Sequence, residues 1–249
     1  TSGATESTYS IIAALVSPGD EVIIFDPAYD SYHPAVLLNG GVPVHINLDG
    51  VNFSIDWDVV RSRITPRTKM IIINTPHNPS GAVLLEKDLK ELEKIANESD
   101  LLVLSDEVYE RLIFDGIRHE SVLRYHGLAD RCLAVFSFGK TFHATGWKVG
   151  YVVAPAHLTE EVRKAHQFIV FSVNTPIQLA LAEYLQNPEH YLSLGKVYQQ
   201  KRDFFLTQIK GSSFEPMACH GSYFQVLSYR HIADKPDVEM AEELTKKFK

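Results

Sequence analysis

Lys140 is the residue whose surroundings most favour chemistry. It stands in Ser137-Phe138-Gly139-Lys140-Thr141-Phe142-His143-Ala144-Thr145-Gly146-Trp147-Lys148-Val149-Gly150, directly after the apolar run CLAVF and among few charges. Apolar surroundings disfavour the ammonium form, and a neutral lysine amine is a nucleophile. Most lysines are simply surface residues, so a chemical role for Lys140 depends on its neighbours. Asp106 closes the run LLVLS and Tyr109 follows on the first turn of a helix, so the two can face one site; a carboxylate at a strand end more often caps a helix. Asp26-Pro27-Ala28-Tyr29-Asp30-Ser31-Tyr32 puts the Tyr29 ring at the end of another buried strand, where it can cover a planar ligand or pack under a loop. Asn74-Thr75-Pro76-His77-Asn78-Pro79-Ser80-Gly81 constrains Asn78 between prolines, as a plain turn also would. Ser2-Gly3-Ala4-Thr5-Glu6 opens a helix with residues small enough for backbone N–H groups to approach an anion, or is an ordinary Thr/Glu helix start.

The elements that must position these residues alternate between apolar runs and helical patterns, the mark of βαβ units and a mainly parallel sheet. Strands are predicted over Glu21–Phe25, Val42–Leu48, Lys69–Asn74, Leu101–Asp106, Cys132–Ser137 and Val149–Ala154. The runs VIIF, MIII, LLVL and CLAVF suit strands buried on both faces. Helices are predicted over Glu6–Val16, Tyr32–Leu38 and Glu86–Ser99, the last with Leu89, Leu92, Ile95 and Ala96 on one face. After Ala154 helices dominate: Glu160–Phe168 capped by Thr159, Ile177–Leu185 opened by Pro176, and a long polar helix from Pro188 to about Ile209. A strand-like Tyr223–Leu227 and a helical Val238–Lys249 complete the chain. The expected fold class is α/β, a three-layer α/β/α domain over residues 1–186 followed over 187–249 by an interdomain helix and the beginning of a smaller α+β domain. Both ends read as interrupted, which suggests a piece of a longer parent. Open α/β sheets bind ligands at the carboxyl ends of their strands, where the five segments are expected to converge.

The chain has 249 residues, 45% hydrophobic and 22% charged, with 24 basic against 31 acidic side chains and a net charge of −7. That balance, without a dense Lys/Arg block, argues against nucleic-acid and anionic-membrane partners. Two distant cysteines, Cys132 and Cys219, make neither a disulfide framework nor a metal-ligand spacing, and the 11 histidines are scattered, so no metal is expected. With no secretory leader and no apolar run of spanning length, the expected location is cytoplasmic.

Taken together, FDPAYDSYHPA, NTPHNPSG, SDEVYE and SFGKTFHATGWKVGY resemble the fold type I pyridoxal-phosphate enzymes, specifically the class I/II aminotransferases, in the methionine and kynurenine–glutamine transaminase branch. The resemblance covers essentially the whole chain and includes the intervals: 28 residues from Asn78 to Asp106, 34 from Asp106 to Lys140 and 8 from Lys140 to Lys148. It implies pyridoxal 5'-phosphate as cofactor, bound as a Schiff base on Lys140, with the freed lysine moving the Cα proton. It implies that Asp106 pairs with the pyridine nitrogen and that Tyr109 and Asn78 bond the phenolic oxygen, Asn78 also reaching the substrate carboxylate. Tyr29 is then the stacking ring, and Gly3, Ala4, Thr5, Ser137 and Lys148 hold the phosphate. Many relatives carry Arg where Lys148 stands; a lysine supplies charge without a bidentate fork.

The implied reaction moves the amino group of an L-amino acid to a 2-oxo acid in a homodimer. Cysteine-conjugate β-elimination on the same scaffold, and a non-catalytic cofactor-binding module of a transcription regulator, are the alternatives. The family's carboxylate-binding arginine and its N-terminal pocket residues have no counterpart here; Arg202 and Arg230 read as surface or interdomain charges. Phe171 sits where relatives send a loop to the partner's substrate pocket, and is equally readable as a core aromatic. His77 and His143 flank the site and also suit loop packing.

Overall fold

The computed structural model describes residues 1–248. Six strands, β1 (Glu21–Asp26), β2 (Val42–Asn47), β3 (Thr68–Asn74), β4 (Leu102–Asp106), β5 (Cys132–Ser137) and β6 (Gly150–Val153), form one sheet in the order β2-β1-β3-β4-β5-β6. All neighbours are parallel except β5 and β6. The helices are α1 (Ala4–Leu15), α2 (Tyr32–Leu38), α3 (Trp57–Arg63), α4 (Glu86–Glu98), α5 (Phe138–Thr141), α6 (Ala156–Ile169), α7 (Thr175–Tyr184), α8 (Glu189–Leu192), α9 (Leu194–Gln208) and α10 (Asp237–Lys247). A separate two-stranded pair joins β7 (Glu215–Pro216) to β8 (Leu227–Ser228).

The three layers follow from the two-residue period of a strand. Ile23, Phe25, Ile71, Ile73, Val103, Ala134 and Phe136 point to one face, where α4 covers them with Leu89, Leu92, Ile95 and Ala96. The intervening residues Val22, Ile24, Met70, Ile72, Leu104, Leu133 and Val135 meet Ile11 and Ile12 of α1, Val36 of α2, and Leu158 and Val162 of α6. Each such aliphatic side chain contributes about 1.5–3 kcal/mol on burial.

Three expectations about local structure need correction, and one element was missed. Thr159 is no cap: α6 starts at Ala156 after an extended Pro155, and Thr159 Oγ1 donates to Ala154 O at 3.1 Å. The earlier start lets Leu158 reach the core beside α1. The helix expected from Pro188 is broken at Ser193, whose Oγ bonds back to Glu189 O at 3.1 Å, a local alternative to helical pairing. Of the strand expected over Tyr223–Leu227 only Leu227 pairs, and Tyr223 lies in a loop. Helix α3 was not anticipated: its Trp57-Asp58-Val59-Val60 start has poor helix propensity, but Asp56 caps it and Val60 is fully buried. No helix among the described residues is long and apolar enough to cross a membrane.

Candidate active site

The register of β3 on β4 puts Asn74 opposite Asp106 at the carboxyl edge of the sheet. Asn74 Nδ2 donates to the Asp106 carbonyl at 2.9 Å, and its Oδ1 accepts the Asn78 N–H at 2.7 Å, which turns the proline-bounded loop over the strand ends. The Asp106 side chain is 5% exposed. It accepts hydrogen bonds from the Tyr32 hydroxyl at 2.6 Å and the Val108 N–H at 3.3 Å. Burial dominates over these donors and raises its carboxyl to about 6, so an ionised Asp106 lacks a cation at contact distance. A protonated ring nitrogen is the chemistry that fits it.

Tyr109 is 2% exposed, and burial holds its hydroxyl above the ordinary phenol range, so it stays a donor. Its ring meets that of Tyr223 at 5.1 Å and 85°. Tyr29 shares a 3.1 Å hydrogen bond with Thr5 Oγ1 and lies edge-on to Tyr32, ring centres 5.5 Å apart. Lys140 occupies the single turn α5 that follows β5 immediately; Thr141 Oγ1 bonds back to Ser137 O at 3.2 Å and keeps that turn tight. Its Nζ donates to the Tyr223 hydroxyl at 2.7 Å and lies 5.8 Å from the centre of the Tyr109 ring.

The opposite end of the cleft is the start of α1. Gly3 adopts φ 81 and ψ 168, and a Cβ there would come within 3.2 Å of Lys148 Cε and 3.3 Å of its Nζ. Glycine thus serves both a left-handed backbone and the approach of an amine. The first N–H groups of a helix have no intrahelical acceptor and favour an anion. Glu6, the acid of the first turn, accepts from Ser2 N at 2.8 Å and from His166 Nδ1 at 3.0 Å. Its carboxylate is occupied there as a helix-start and α6 contact.

Gly3, Ala4, Thr5, Tyr29, Asn78, Asp106, Tyr109, Ser137, Lys140 and Lys148 all line one cleft. Phe171 is not among them; it is 76% exposed on the connection between α6 and α7, with φ 67. Asn74 also lines the cleft, while Tyr32 and Tyr223 act on it by touching Asp106 and Lys140. None of these three was expected in a site role. Asn74 and Tyr32 sit inside segments already singled out, whereas Tyr223 is 83 residues from Lys140 and carried no local signal.

The remaining polar residues have structural partners. Arg202 makes a two-pronged contact with Asp115, both distances 2.7 Å, and donates to Cys219 O at 2.8 Å, tying α9 to the segment after β4. Arg230 pairs with Glu215 at 2.8 Å. His77 bonds Ser80 Oγ at 2.7 Å, and burial lowers it to about 4, so it is neutral. His143 takes the Tyr198 hydroxyl at 2.9 Å. Among the described residues no three potential ligands cluster to hold a metal. The cleft therefore suits a flat ring with a cationic edge, an anion at the helix start, and an electrophilic carbon within reach of the Lys140 amine.

Residues 1–249 match the family model for aminotransferase class I and II. The chain is 48% identical over 246 residues to the methionine aminotransferase of Escherichia coli (strain K12), covering 98% of this chain and 64% of that protein. It is 38% identical over 267 residues to kynurenine–oxoglutarate transaminase 3 of Rattus norvegicus, covering 100% of this chain and 59% of the relative. The Escherichia coli protein whose crystal structure and reactivity identify a methionine aminotransferase function superposes with a TM-score of 0.97 at 47% identity, covering 99% of this chain and 65% of that one. An aspartate aminotransferase double mutant of Thermus thermophilus superposes with a TM-score of 0.92 at 31% identity, covering 99% and 65%. The chain spans somewhat under two thirds of the length of these relatives. Matched from end to end by the family model, and superposing on those structures over nearly its whole length, this chain belongs to the class I and II aminotransferase family.

Proposed function

We propose that the protein containing this chain is an aminotransferase that moves the amino group of an L-amino acid to a 2-oxo acid, using pyridoxal 5'-phosphate in the cleft between Lys140 and the start of α1. The observation that carries this reading is the convergence of Lys140, Asp106, Tyr109, Asn78 and the Gly3–Lys148 corner on one cavity. When bound, the cofactor supplies an aldehyde that condenses with amines and a pyridinium ring that takes up the electron pair left by the departing Cα proton.

The residues then divide the work. Asp106 supplies the negative charge that keeps the ring nitrogen protonated, and Tyr32 holds that carboxylate in place. Tyr109 and Asn78 donate to the phenolic oxygen and favour its anionic form. Tyr29 covers one ring face. The Gly3, Ala4 and Thr5 backbone, Ser137 and Lys148 hold the phosphate by N–H groups, hydroxyl and charge. Lys140 Nζ is the group that would meet the aldehyde and that, when free, would hold and move the proton at the substrate Cα. Asn78 also orients the substrate carboxylate.

The likeness to methionine and kynurenine transaminases supports methionine, aromatic and glutamine-like donors. A homodimer working in the cytoplasm is part of the same proposal. Exposed Phe168 (86%), Phe171 (76%) and Leu179 (68%) support an apolar face covered by another chain, with Phe171 reaching the partner's substrate. Free, buried Cys132 and Cys219 support a reducing compartment. The division into residues 1–186 and 187–249 is supported by the run of helices α7–α9 that separates the sheet from the β7–β8 pair. Product analysis tests the reaction. With L-methionine and a 2-oxo acid, equal amounts of the methionine-derived 2-oxo acid and the new amino acid are expected; release of ammonia in their place would contradict transfer.

A further inference from the structure

We propose that Tyr223 is the positioning residue for Lys140: its hydroxyl is the fixed acceptor that holds the lysine amine over the cleft whenever that amine is free. The inference rests on the reading of Lys140 as the amine that meets the cofactor. Its support is the way a distant segment is anchored to the sheet. His220 N and Gly221 N both donate to Gly81 O, at 2.9 and 3.0 Å, and Ser222 N donates to Leu112 O at 2.9 Å. Phe114 N donates to His220 O at 2.9 Å, and Ile113 forms an antiparallel bridge with Gly221. Ser222 is fully buried at φ 64, and a Cβ on Gly221 would lie 2.7 Å from Pro76. The turn is thus wedged between the loop after β3 and the segment after β4, the same elements that carry Asn78 and Tyr109.

From that anchored backbone the Tyr223 ring packs against Phe224 at 4.8 Å and edge-on to Tyr109, while Tyr198, itself bonded to His143, stands 6.1 Å away. Lys140 Nζ lies 2.7 Å from the Tyr223 oxygen and 5.4 Å from the centre of its ring. A phenylalanine would pack equally well, so the hydroxyl is what the site gains. A lysine side chain has many rotamers, and proton transfer needs one of them. An ångström of misplacement costs about a hundredfold in rate. One Nζ–H donates to the Tyr223 oxygen while the nitrogen lone pair faces the substrate; Tyr223 neither gains nor loses a proton.

Tyr223→Phe, which keeps the ring, separates this role from packing. In the holoenzyme the variant is expected to keep its visible cofactor band, to lose about tenfold or more in kcat, and to leave KM for methionine unchanged. The rate penalty for Cα-deuterated methionine should grow, because proton transfer becomes the slower step. In the cofactor-free protein, acetylation of Lys140 by acetic anhydride, read by mass spectrometry, should quicken about fivefold, the worth of one hydrogen bond. Unchanged kcat together with unchanged Lys140 acetylation would overturn the proposal, as would loss of the cofactor band, which would make Tyr223 a cofactor-holding residue. If the unsubstituted protein shows no lysine-dependent band, the aminotransferase reading fails, and Lys140 acetylation still decides whether Tyr223 holds the amine.

Discussion

Asp106 concentrates the electrostatics of the site in one side chain. Its carboxyl lies near 6 in the free protein because burial outweighs the Tyr32 and Val108 donors. The folded value is above the ordinary one, so its contribution to stability is fully present below about pH 4 and is lost as pH rises through 6. A bound pyridinium reverses that sign by pairing with the charged form. Cofactor affinity, measured by equilibrium dialysis, is therefore expected to weaken as pH falls below about 6, by up to tenfold per unit. Tyr32→Phe removes a donor to the charged form and should move this fall to higher pH; an unmoved profile would show that the 2.6 Å contact does not tune Asp106. At the other end of the cleft, Gly3→Ala strains a left-handed residue and crowds Lys148. It should weaken pyridoxal phosphate about tenfold and leave unphosphorylated pyridoxal unchanged; equal losses for both ligands would take Gly3 out of the phosphate site.

Among the elements, α4 offers the plainest test of packing. Leu92 is fully buried against the sheet, and Leu92→Ala should cost about 2–5 kcal/mol in denaturant unfolding. A loss below about 1 kcal/mol would mean that α4 is a loosely held cover. The same helix shows what was readable in advance. Leu89, Leu92, Ile95 and Ala96 repeat at helical spacing, and the runs before Asn74, Asp106 and Ser137 are long enough to be strands whichever way they pack. The mainly parallel sheet followed from patterns local in sequence, and those patterns together with the family resemblance named ten of the eleven residues, Phe171 excepted, that line one cleft; the antiparallel pairing of β6 was not anticipated. What was missed depends on distant partners. Val60 makes α3 helical by burying its side chain, Leu158 starts α6 early for the same reason, and Tyr223 leaves its apparent strand because Gly81 and Leu112 take the hydrogen bonds of its turn.

For the whole molecule, the apolar side chains of the α6–α7 region matter most. Phe168 and Phe171 are exposed among the described residues, and the homodimer proposed above puts a second copy over them. Phe168→Asp should shift sedimentation toward the single-chain species, whereas an unchanged profile would mean that this face lies outside the interface. Phe171→Ala should reduce kcat/KM for aromatic and thioether donors more than for alanine; equal losses on all donors would leave Phe171 a packing residue.

The central claim, a cofactor joined to Lys140 and able to take an amino group, is tested most directly by the visible absorption spectrum after addition of pyridoxal phosphate and dialysis. Lys140→Ala is measured alongside, and L-methionine is then added to both. A retained visible band that requires Lys140 and that methionine converts to the spectrum of pyridoxamine phosphate is expected. A band equally strong in Lys140→Ala, or one that no amino acid alters, would contradict the central claim.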